Sequence, residues 1–208
     1  MQRILMIGID AAAGAVIFIP LFALSGSWLL KQRNRSGKIM YMLFAVYLAA
    51  VFSATGIPWY RNVIVTDMGV SWIPFADFLN SPVQYIKNSV LNVVLFVPAG
   101  IFLPLLWKEF QRLRNTAVFG LVLSLGIEIL QLFTFRLTDV DDLIMNTAGS
   151  MLGYLIARQL FYVFDGKLTS EGGNCRLELP VLTGVVFLTC FTLQPYLAGC
   201  IWEWMYWR

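Results

Sequence analysis

Two neighbouring stretches of this sequence concentrate the side chains that could carry chemistry. Glu128 and Gln131 stand three residues apart, so they share one face of a helix within an otherwise apolar run. The segment Arg136-Leu-Thr-Asp-Val-Asp-Asp142 follows, and Asn146 stands four residues beyond Asp142, on the same helix face. Asn92, Asp10 and Gln194 are further polar residues within apolar runs. Such a set could hold a polar headgroup or a sugar, with Arg136 suited to phosphate or carboxylate through its fixed fork of donors. Histidine is absent and the three cysteines are scattered, so neither a histidine general base nor a zinc site of ordinary spacing can be built. We expect no metal and no cofactor.

The elements that must position these residues are membrane spans. Hydrophobic residues make up 59% of the chain and charged residues 13%, half the charge of a soluble domain, and the mean hydropathy is +0.72. The expected fold is an all-α integral membrane protein, a compact bundle of about six transmembrane helices forming a single membrane domain over residues 1–208. Apolar runs at Ile4–Leu24, Ile39–Ile57, Val90–Trp107, Thr116–Phe135, Leu143–Phe164 and Leu179–Trp202 each approach the ~20 residues that cross a bilayer. Cleavage of the first run as a signal peptide near Ala23-Leu24-Ser25 would leave five.

Charge orients the runs. If the first, third and fifth connections are cytoplasmic, that side holds Lys31, Arg33, Arg35, Lys38, Lys108, Arg112, Arg114, Arg158, Lys167 and Arg176, ten of the 15 basic residues. Both termini are then expected outside a bacterial cytoplasmic membrane. The polar residues Asn92, Glu128, Gln131, Arg136, Asp139, Asp142 and Asn146 gather in one outward layer. The long loop from Pro58 to Ser89, which carries Trp59, Trp72, Phe75 and Phe78, reads as an interfacial segment. A net charge of +3, spread in short groups between apolar runs, argues for no nucleic-acid partner.

A bare carboxylate at mid-bilayer costs about 2.5–3.5 kcal/mol or more, so buried acids usually mark a site or a pathway. The alternative is a polar network that joins helices without a ligand. Asp139 or Asp142 could also cap the helix that follows. Gly149 and Gly153 form a small-xxx-small pattern that lets a neighbouring helix approach closely.

Four blocks resemble the VanZ-like family: Trp72-Ile-Pro-Phe75; Asn92-Val-Val-Leu-Phe-Val-Pro-Ala-Gly100; Glu128-Ile-Leu-Gln131; and Arg136 with Asp139-Val-Asp-Asp142, Asn146, Gly149 and Gly153. They delimit a core of about residues 72–156. The chain departs from the family at Trp72, often leucine there, and before Gly100, where an aromatic is common. The resemblance implies a bacterial envelope protein that confers or modulates resistance to teicoplanin, a lipid-bearing glycopeptide acting on cell-wall precursors, and it brings no catalytic assignment. Its partners would be membrane lipids, the drug or a cell-wall precursor, with room for a homo-oligomer.

A non-enzymatic role is favoured, because no Ser, Thr or Cys has a histidine partner. The competing readings are a membrane-embedded enzyme or a transporter acting on a lipid or lipid-linked intermediate. Glu128 would be general acid or base in the first, with Asp139 and Asp142 holding a divalent cation. Glu128 and Asp10 would form a proton-coupled pair in the second.

Overall fold

The computed structural model describes Leu30 and residues 33–56, 70–71, 73–133, 138–163 and 174–206. In chain order the elements are α1 (Arg35–Thr55), β1 (Val70–Ser71), α2 (Ala76–Asn80), α3 (Pro82–Leu106), a 3-10 turn (Lys108–Gln111), α4 (Leu113–Gln131), β2 (Thr138–Asp139), α5 (Val140–Val163), α6 (Cys175–Phe191) and α7 (Leu193–Tyr206). The fold is all-α; β1 and β2 are a two-residue parallel bridge pairing Val70 with Thr138 and Ser71 with Asp139. Among the described residues four segments, α1, α3, α4 and Cys175–Ile201, are long and apolar enough to cross a membrane. α5, at 24 residues, spans about 36 Å and matches them in length. The protein is a multi-pass membrane protein, and its first apolar run, with Asp10, lies outside the described residues.

Two boundaries differ from the sequence reading for physical reasons. α3 begins at Pro82, eight residues before the apolar run, because proline suits the first helical turn, where an N–H would have no partner anyway. Part of the segment read as an interfacial loop is therefore helix. The last run is interrupted at Thr192, between α6 and α7. Pro195 has no N–H to give the Phe191 carbonyl four residues back, which favours a stop there.

The chain forms two compact units, Met1–Val63 with Glu171–Arg208, and Ile64–Ser170. In the first, α1 packs on α6. Asn34 caps α1 by accepting from the Gly37 N–H at 2.7 Å. Phe52 meets Phe187 edge-on at 6.0 Å. Arg33, 4% exposed, donates through Nη2 and Nε to Glu178 Oε2 at 2.5 and 3.1 Å. The Tyr41 hydroxyl donates to the Glu178 carbonyl at 3.1 Å, and the guanidinium lies 5.6 Å from the Tyr41 ring.

In the second unit α3 and α5 run parallel, with α4 antiparallel to α5. A Cβ on Gly149 would fall on the Val93 carbonyl, and one on Gly153 on the Val97 carbonyl, so only glycine permits this approach. Against α4 the seam is polar: Gly120 faces Ser150, and Ser124 Oγ accepts from Asn146 Nδ2 at 2.9 Å. The outward faces are apolar. Val90, Leu91 and Val94 on α3 and Val118, Val122 and Ile129 on α4 are all exposed, as helices facing lipid require.

Candidate functional site

The site is built around the start of α5. Asp139 stands just before the helix and accepts the Asp141 N–H through Oδ1 at 3.0 Å, an N-cap that satisfies one orphan donor. Asp141 and Asp142 occupy the first turn, where the positive end of the helix favours carboxylates. Asp142 Oδ1 accepts from Asn92 Nδ2 at 2.5 Å, tying α5 to α3. Asp141 is 4% exposed, and both its oxygens receive the Phe75 N–H, at 2.9 and 3.2 Å.

Phe75 is unusual. With Ile73 accepting from the Ala76 N–H, residues 73–76 form a turn with proline second and a positive φ of 64° at Phe75, the pattern of a type II turn. That third position normally takes Gly or Asn. A bulky residue held there costs about 1–3 kcal/mol.

Opposite the acids lies the polar side of α3. Ser81, Gln84, Tyr85, Asn88, Ser89 and Asn92 recur every three or four residues and so share one face. Between that face and α5 is a cavity of about 310 Å³ lined by Asn80, Ser81, Gln84, Tyr85, Asn88, Ser89, Asp139, Asp141 and Asp142. Gln84 Nε2 donates to Asn88 Oδ1 at 2.9 Å along one wall. The Tyr85 hydroxyl is buried beside Ser89 and Asp141, with no hydrogen bond of ordinary geometry among the described residues. Phe78 meets the Tyr85 ring edge-on at 5.6 Å, and Phe75 at 6.4 Å.

The residues singled out in the sequence fall into three groups. Asp139 and Asp142 line the cavity, and Asn92 braces Asp142. Glu128 sits behind them: α4 ends at Gln131, so Glu128 is in its last turn, and Oε2 accepts from the Asp139 N–H at 3.3 Å. Gln131 is buried at that helix end. Asn146 lies one turn below Asp142 and joins α4 through Ser124; its carbonyl oxygen is buried without a partner among the described residues. Arg136 lies outside the described residues.

The candidate set does not include Asp141 or Phe75, which enter the sequence reading only within the acidic segment and the first resembling block, nor Ser81 and the α3 residues from Gln84 to Ser89. The signal for the α3 residues is the polar repeat that continues N-terminally from Asn92, outside the apolar run. Among the described residues no group of three or more His, Cys, Asp or Glu side chains is arranged to hold a metal ion.

The VanZ/LLP1 family model matches residues 38–163, well over half of the chain, ending with the last residue of α5. The chain belongs to the VanZ/LLP1 family. Protein VanZ of Enterococcus faecium is 46% identical over 68 residues, 32% of this chain and 42% of that protein. The match thus spans less than half of that relative's length. No solved structure matches the chain. Every lining residue of the cavity lies inside the VanZ/LLP1 match.

Proposed function

We propose that this protein lowers susceptibility to teicoplanin-type lipoglycopeptides, acting from the outer face of the bacterial cytoplasmic membrane through the polar cavity between α3 and the start of α5. The cavity is the observation that carries the reading. Three carboxyl side chains face amide and hydroxyl groups there, a lining suited to the hydroxyl and amine groups of a glycopeptide, a lipid headgroup or a cell-wall precursor. The excess of basic residues on the opposite side supports an outward cavity. Family membership supports the drug class.

The test is expression in a teicoplanin-sensitive Gram-positive host, with membrane levels of each variant measured by immunoblot. Wild type should raise the minimum inhibitory concentration several-fold. Asn88→Phe, which fills the cavity without touching a carboxylate, should return it to that of the empty vector. An inert wild type, or an undiminished Asn88→Phe, removes the proposal.

A further inference from the structure

We infer that Asp141 and Phe75 are a positioning pair for this cavity: Asp141 holds Phe75 in a strained turn so that the Phe75 ring fixes Tyr85 in the cavity wall. The inference rests on the proposed cavity function for its effect on resistance, but not for its structural content.

The turn at Ile73–Ala76 has the conformation that glycine would adopt without strain, yet the residue present is Phe75 at φ 64°. A strained residue persists only where its surroundings over-determine it, and such outliers cluster at functional sites. Two contacts hold this one. The backbone N–H donates to both oxygens of the buried Asp141 carboxylate, itself favoured at the positive end of α5. The ring meets Tyr85, which Phe78 braces from another side.

Glycine at residue 75 would release the strain but supply no ring. The ring is therefore what the strained backbone provides, and its target, Tyr85, places a buried hydroxyl beside Asp141 in the cavity wall. A turn needed only for folding would be better served by glycine. The effect passes through Tyr85, so Phe75 need not touch the ligand.

The experiment compares wild type, Phe75→Gly and Phe75→Tyr as full chains in nanodiscs. It reads thermal midpoint and nitration of Tyr85 by tetranitromethane, resolved by peptide mass spectrometry. Phe75→Gly should keep or raise the midpoint while Tyr85 nitration rises by about two- to tenfold, the range expected for losing one aromatic pair. Phe75→Tyr, which keeps the ring, should stay at the wild-type level.

In the sensitive host, Phe75→Gly should lose protection and Phe75→Tyr should retain it. Unchanged nitration in Phe75→Gly overturns the inference, as does a lowered midpoint, which would make the ring a folding element. If wild type gives no protection, the proposed function falls and the nitration result alone decides the positioning pair.

Discussion

Charge is handled in opposite ways in the two units. Arg33 and Glu178 form a matched pair, nearly sealed from solvent and completed by the Tyr41 ring and hydroxyl. Asp139, Asp141 and Asp142 instead crowd three like charges into the start of one helix, where backbone N–H groups and the Asn92 amide are neutral donors to them. A matched pair is a finished interaction. A row of carboxylates beside a polar cavity gives that cavity an acidic wall. Both members of the pair lie outside residues 38–163, whereas the acids lie within them, so the ion pair belongs to the scaffold and the acidic row to the part shared with the family.

The contrast can be broken, most forcefully at the pair. Arg33→Ala strands Glu178 without its cation and should cost about 3–5 kcal/mol, read as a fall in thermal midpoint in detergent; Arg33→Met with Glu178→Leu should recover most of it. An equal loss in single and double variants would show that packing, not charge, matters there. Next in size, Gly153→Val drives a side chain into the Val97 carbonyl and should cost about 1–3 kcal/mol or abolish assembly of α3 with α5, seen as loss of folded protein on size exclusion.

Asn92→Leu removes a charge-assisted bond from Asp142, worth about 1.5–3 kcal/mol at most, and should reduce resistance more than it reduces the midpoint. The reverse ordering would make Asn92 a packing residue. The smallest effect belongs to Ser124→Ala, about 0.6 kcal/mol by the average for membrane hydrogen bonds, with resistance unchanged.

The spans were legible because hydropathy and length report directly on the lipid environment, and α1, α4 and α5 fall within a few residues of their apolar runs. The apolar run begins later than α3 because the first turns of that helix are amphiphilic: Gln84, Tyr85, Asn88 and Ser89 alternate with Val83, Ile86 and Val90, a helical rather than apolar signal. The same amphiphilic stretch forms one wall of the cavity. Asp139 and Asp142 could be singled out because three acids in four residues are rare beside a span. Asp141, between them, could not be separated from its neighbours, since only tertiary structure shows that its partner is a backbone N–H 66 residues earlier. The positive φ of Phe75 was equally silent, because Ile-Pro-Phe carries no glycine or asparagine to announce it.

The small parallel bridge between Val70–Ser71 and Thr138–Asp139 settles a question of parity. Its strands are joined through α3 and α4, so the chain must cross the bilayer an even number of times between them. Whichever compartment holds Ser71 also holds Asp139, the beginning of α3, the end of α4 and the mouth of the cavity between. A single impermeant label at a cysteine introduced at Ser71 would therefore assign sidedness to all three helices at once, without recourse to the distribution of lysine and arginine.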